Sequence, residues 1–200
     1  MKKEPCINFA LDINRYDLPW DEFNLRQNQF DQNSELHGIM HTYRVMIHVL
    51  NLGMLTGFEH EAKMAFFAAY IHDMARKHDG YCTRHGEDAV KNHFHKYKHQ
   101  FERYGASKSD LDRIAYAVKL HPLPDVTAPD PETQRVINQL KDADALDRIR
   151  LGEKSLDTSF LRLKISHECI AFAGRLFLNS YKLSSATFQQ IIDIASQHYE

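Results

Sequence analysis

The residues that invite a chemical reading are His72 and Asp73, set side by side at the end of the apolar run "AFFAAYI" and followed at once by Arg76, Lys77, His78 and Asp79. Burying an ionised group is costly unless it is paired or binds a metal. If the run is a helix, His72 shares the face of Ala65 and Ala68, and Asp73 lies about 100° further round the same axis, so a metal over the bisector takes both. The same situation recurs elsewhere. His41 aligns with Val45, His48 and Leu52, His121 with Ile114 and Val118, and Asp144 with Ile137 and Leu140. As separate events these are repeated burial costs. Gathered in one place, their imidazole nitrogens and carboxylate oxygens suit a divalent metal.

The elements that must position these groups are helices. Apolar residues recur at spacings of three and four in nearly every segment, while alternating β-branched patterns are scarce. The pattern predicts helices over about Leu36–Leu55, closed by Gly53 and Gly57, and over Glu59–Asp73. A third spans about Gly86–Arg103, with Gly105 as its stop. A fourth starts at the capping box of Ser107 and Asp110 and ends near His121, before Pro122. A fifth has Asp130 as N-cap and Pro131 in its first turn, and continues to about Ile149. Two more, Asp157–Tyr181 and Ser184–Tyr199, complete the chain. Residues 1 to 35 give the weakest signal. The fold class expected is all-α, a single-domain helical bundle over residues 1–200, since 200 residues fit one domain.

The ordered set His41 in "HTYRV", the doublet His72-Asp73 and Asp144 in "DADALDRI" resembles the HD-domain superfamily, helical metal-dependent phosphohydrolases named for that doublet. The resemblance covers about residues 37–150, with the helices of 157–200 packed on that core. It implies that His41, His72, Asp73 and Asp144 bind one divalent metal (Mn, Fe, Co, Ni, Zn or Mg). Members with a histidine after the doublet and another after a helix of the "IAYAVKLH" type often hold two metals, with the doublet aspartate bridging. His85 and His121 occupy those positions, and each can also be read as a helix-terminal histidine bonded to backbone. The Pro-rich loop after His121 and the lack of an adjacent histidine pair set the chain apart from the cyclic-dinucleotide phosphodiesterases of the superfamily.

The function expected is hydrolysis of a nucleotide or related small phosphoester by metal-activated water, with Asp73 and Arg76 as the catalytic pair. Arg76, one turn after His72, is the first candidate for substrate phosphate. Arg44, Lys77, Arg84, Lys119 and Arg148 are further candidates, and Arg44 serves equally well to hold a carboxylate in place. Two alternatives stand beside this reading: a di-iron oxygenase of the same fold, which His85 and His121 keep open, and a non-catalytic module that binds metal or nucleotide. His37 competes with His41 as a ligand, and Asp79, His78 and Asp147 are either supports of the ligands or surface charges.

Composition narrows the partners. A net charge of −2, with 43% hydrophobic and 26% charged residues, gives no general attraction to nucleic acid or membrane. The basic-aromatic stretch "KNHFHKYKHQFER" reads as a core stripe with a solvated face rather than a nucleic-acid surface. Cys6, Cys82 and Cys169 are unpaired by spacing and point to a reducing, cytoplasmic setting, with Cys82 incidental to the site. No apolar run is long enough to span a bilayer.

Overall fold

The structure is a computed structural model that describes residues 11–152, 154–183 and 185–197. Its centre is α1 (Ile39–Thr56), buried continuously from His41 to Gly53. A helix surrounded on every side needs no polar face, and its neighbours are α2 (Glu59–Ile71) on one side and α6 (Pro131–Asp147) on another. α5 (Lys108–Leu120) packs on both α2 and α6. The remaining helices, α3 (His85–Ala89), α4 (His95–Arg103), α7 (Lys164–Glu168), α8 (Ile170–Ser180) and α9 (Phe188–Ala195), flank this core. The described residues contain no strand and form one helical domain. None of their helices is long and apolar enough to cross a membrane.

Several ends fall where side-chain chemistry dictates. Ser107 Oγ accepts from the Asp110 amide while the Asp110 carboxylate accepts from the Ser107 amide, the reciprocal capping box. Asp130 accepts from the Thr133 amide ahead of Pro131. α1 ends at Gly57, whose φ of 74° is the left-handed conformation that glycine adopts without strain. Gly86 serves packing instead: a Cβ there would lie 2.3 Å from the Val118 carbonyl oxygen, so its hydrogen is what lets α3 approach α5.

Five expectations about the helices need correction. The first helix begins at Ile39, so Leu36, His37 and Gly38 lie in the preceding loop. The second ends at Ile71, and His72 to Ala75 form a tight turn in which the Met74 amide donates to Ile71 and the Arg76 amide to Asp73. The third is interrupted by a π-helical turn at Val90–Phe94. This turn brings His93 inward, where its Nε2 lies 3.0 Å from Asp31 Oδ1. The segment 157–181 is not one helix. The buried Asp142 carboxylate accepts the backbone amides of Arg162 and Leu163 and the Ser166 hydroxyl. That tie holds Leu163 extended (φ −94°, ψ 128°) and delays α7 to Lys164. α6 stops at Asp147 and passes into a 3-10 turn, Arg148–Leu151. The expected last helix is α9, capped by Thr187; Ser184 and Tyr199, its expected bounds, lie outside the described residues, as does Cys6. Residues 11–35 wrap the bundle in short 3-10 turns and insert Leu11, Tyr16, Leu18, Phe23 and Leu25 into the core.

Candidate metal centre

Six side chains from α1, α6, α3, the end of α5 and the turn after α2 converge. His41 sits in the first turn of α1, buried completely. His72 and Asp73 follow α2 in the tight turn, so the adjacent pair presents both groups to one space. Asp144 comes from α6, with its side chain one-third exposed. His85 opens α3 and His121 closes α5, and the close packing at Gly86 brings these two rings together.

The polar atoms fall into two clusters that share Asp73. In the first, His41 Nε2 lies 3.3 Å from His72 Nε2, 3.3 Å from Asp144 Oδ1 and 3.5 Å from Asp73 Oδ2, and His72 Nε2 lies 3.6 Å from Asp73 Oδ2. In the second, His85 Nε2 lies 2.8 Å from His121 Nε2 and 3.1 Å from Asp73 Oδ1, with His121 Nε2 at 3.7 Å from that oxygen. Bonds of about 2.1 Å to one tetrahedral ion would set neighbouring ligand atoms about 3.4 Å apart. Both clusters have edges of that size, and the two oxygens of Asp73 divide between them.

The far side of each ring fixes its proton. His72 Nδ1 meets the Ala69 carbonyl at 2.7 Å, His85 Nδ1 the Cys82 carbonyl at 2.9 Å, and His121 Nδ1 the Val118 carbonyl at 2.7 Å. A carbonyl only accepts, so each Nδ1 carries hydrogen. His41 Nδ1 likewise donates to Asp147 Oδ2 at 2.7 Å. In the neutral rings the four Nε2 atoms are then bare lone pairs pointing at one another, an arrangement that repels unless a proton or a cation lies between them. This is the observation by which the residues fit a metal.

Charge follows the same logic. Burial and the Arg150 guanidinium oppose charge on His41, yet its bonds to Asp144, Asp147 and Asp73 outweigh them and raise its pKa to about 9. Burial pushes His72 down to about 3, and also lowers His121. Burial opposes charge on His85 too, but the Asp73 carboxylate raises its pKa. Asp73 itself is held well below its usual range: burial works against its charge, and His72, His121, His37 and His41 overcome it. A proton on His41 therefore occupies the place where a cation would balance Asp73 and Asp144.

Asp147 was ambiguous in sequence and is buried here as the anchor of His41. Arg44 Nε donates to its Oδ1 at 2.5 Å and Arg44 Nη2 to its Oδ2 at 3.2 Å, with Arg150 Nη1 3.3 Å from Oδ2. Of the two roles expected for Arg44, its side chain takes the second, holding a carboxylate. Arg150 escaped the sequence reading; the signal available was its spacing of three from Asp147. Arg76, expected toward substrate, donates from Nε to Asp73 Oδ1 at 3.0 Å and from Nη1 to the Gly80 carbonyl at 3.2 Å. It braces the shared carboxylate. His37, released from the helix, places Nδ1 3.0 Å from Asp73 Oδ2 on the more open side. Its loop is pinned by Ser34, whose hydroxyl accepts from the His37 amide and donates to Asp79.

The remaining basic candidates do not join the cluster as a group. Lys77 and Arg84 are exposed on the segment between Asp73 and His85. Lys119 pairs with Glu87 at 3.2 Å, and Arg148 donates to the Ser155 carbonyl at 2.9 Å. His78 is exposed and contributes its carbonyl to Arg76. Cys82 bears on the site through its carbonyl, which orients His85. Compared with protein families, with curated proteins and with solved structures, the chain matches none.

Proposed function

We propose that the chain is a metal-dependent phosphohydrolase of the HD type, acting on a nucleotide or related small phosphoester. The observation that carries this reading is the pair of ligand clusters joined by the two oxygens of Asp73. His41, His72, Asp73 and Asp144 would hold one divalent cation, and Asp73, His85 and His121 a second. Bound there, divalent cations lower the pKa of water toward about 7 and neutralise phosphoryl oxygens. The chain's own residues supply position. Asp147 holds His41 by its Nδ1 hydrogen, carbonyls hold the other three rings, and Arg76 braces Asp73, so the ligand atoms are set before a substrate arrives. His37 and Asp144, the less buried side chains of the set, would be the ones to meet substrate and pass on a proton.

A second reading, a di-iron oxygenase, is favoured by the second cluster, where His85 and His121 add two imidazoles to the ligand set. Metal analysis of protein purified without chelator, followed by a phosphoester panel with Mn, Co, Mg and Ni, separates the two. Phosphate release that needs added metal and no oxygen supports the hydrolase. Bound iron with substrate-dependent oxygen uptake overturns it in favour of the oxygenase, and an intact metal site with neither activity overturns both.

A further inference from the structure

A cleft of about 550 Å³ lies behind the metal centre, between the 33–36 loop, the start of α1, the 3-10 turn after α6 and the end of α8. Its size suits a small-molecule ligand, for which sites run from about 300 to 1,000 Å³. Two of its lining residues are the guanidinium groups of Arg44 and Arg150, both almost fully buried. Each is only partly used. Arg44 spends Nε and Nη2 on Asp147, while Arg150 spends Nε on the Leu36 carbonyl and Nη1 on Asp147. Among the described residues nothing accepts from Arg44 Nη1 or Arg150 Nη2.

Charge on the lining is unbalanced as well. Lys182 adds a third cation at the rim, against Glu35 as the one carboxylate of the lining and Asp147 behind it. Buried cations with spare donors call for an anion, and arginine's planar fork suits phosphate. The rest of the cleft is not built for a bare ion. Tyr181, half exposed, offers a ring at the rim, Leu36 adds an exposed apolar side chain, and Gln27 and Asn33 provide amides able to bond a heterocycle's edge. We propose that this cleft binds a mononucleotide-like aromatic phosphate, its phosphate on Arg44 and Arg150 and its ring against Tyr181. The site is separate from the metal centre and joined to it by Asp147, which bonds both arginines and His41. It holds whether or not the metal centre is a phosphohydrolase.

The test uses the full chain stripped of metal with EDTA, so that phosphate cannot be retained by cations at the ligand clusters. Adenosine 5′-monophosphate, adenosine and inorganic phosphate are titrated calorimetrically into wild type, Lys182→Glu and Tyr181→Ala. Both substitutions are at the solvent-facing rim, and circular dichroism confirms that each variant is folded. The expected result is saturable binding of the monophosphate, at least about tenfold weaker for adenosine and for phosphate alone, and weakened about tenfold by each substitution. Absence of saturable binding to wild type overturns the proposal, as does binding that neither substitution changes. Equal binding of phosphate and the monophosphate overturns the aromatic part. Saturable nucleotide binding together with no hydrolysis when metal is restored would count against the phosphohydrolase reading alone.

Discussion

Two regions of α1 bury a histidine on the same helix face, and they treat it in opposite ways. At the first turn, His41 has both ring nitrogens engaged: Nδ1 is fixed by Asp147, and Nε2 faces His72, Asp73 and Asp144. Two turns later His48 is equally buried, but neither nitrogen has a partner among the described residues, and its ring rests edge-on near Phe172 at 5.8 Å. Burial pushes the pKa of His48 down to about 4, so the ring is held neutral. Near His41, carboxylates reverse the same burial effect. A buried histidine alone therefore says little about function; what marks a ligand is a fixed Nδ1 hydrogen and a bare Nε2 among other donors.

The strongest break of that contrast is Asp73→Ala. Asp73 is the one residue in both clusters, so the variant should lose bound metal at both positions and all metal-dependent turnover, along with the thermal stabilisation that added metal gives the native protein. Metal content and melting with and without Mn check it. Asp147→Asn should act more gently, because an amide no longer fixes the His41 hydrogen with a charge. Metal affinity should fall by about 10- to 100-fold, the range for residues that orient a ligand histidine, while the second cluster keeps its ion.

The pH response sharpens the comparison further. A group whose folded pKa is raised contributes stability that is complete below its unfolded value and is lost as pH rises through the folded one. His41 runs from about 6.5 unfolded to about 9 folded, and His85 is raised in the same direction. The metal-free protein should therefore melt at progressively lower temperature between about pH 6.5 and 9. Metal has to displace the His41 proton, so metal affinity should rise by up to about tenfold per pH unit over the same window. Calorimetric melting of both forms at several pH values tests the opposite slopes. The smallest effect belongs to His48→Leu. Removing a buried ring with unsatisfied nitrogens should leave metal content unchanged and stability the same or higher by about 1 to 3 kcal/mol. Loss of metal in that variant would place His48 in the centre and dissolve the contrast with His41.

Much of this was legible because local rules wrote it. The cap at Asp130, the box at Ser107 and Asp110, and the alignment of His41, His72, Asp144 and His121 on apolar faces each depend on neighbours a few residues away. The parts that were not legible depend on distant partners. Asp142 reaches 20 and 21 residues along the chain to the amides of Arg162 and Leu163 and so breaks a helix that 157–181 would otherwise allow. His93 turns inward through a π turn to meet Asp31, 62 residues away. Arg44 lies 103 residues from Asp147, so the carboxylate that its Nε and Nη2 hold could not be named before the fold closed. Arg76 stands one turn after His72, and the tight turn at 72–75, which directs its Nε to Asp73, could not be read from that spacing.

The central claim is that Asp73 joins two cation sites, and anomalous diffraction from crystals grown with Mn tests it most directly. The account predicts two anomalous peaks. One should lie about 2.0 to 2.2 Å from His41 Nε2, His72 Nε2 and oxygens of Asp73 and Asp144, the other at the same range from His85 Nε2, His121 Nε2 and the second oxygen of Asp73. No peak within reach of Asp73, or ions bound only at residues outside these two clusters, would contradict it.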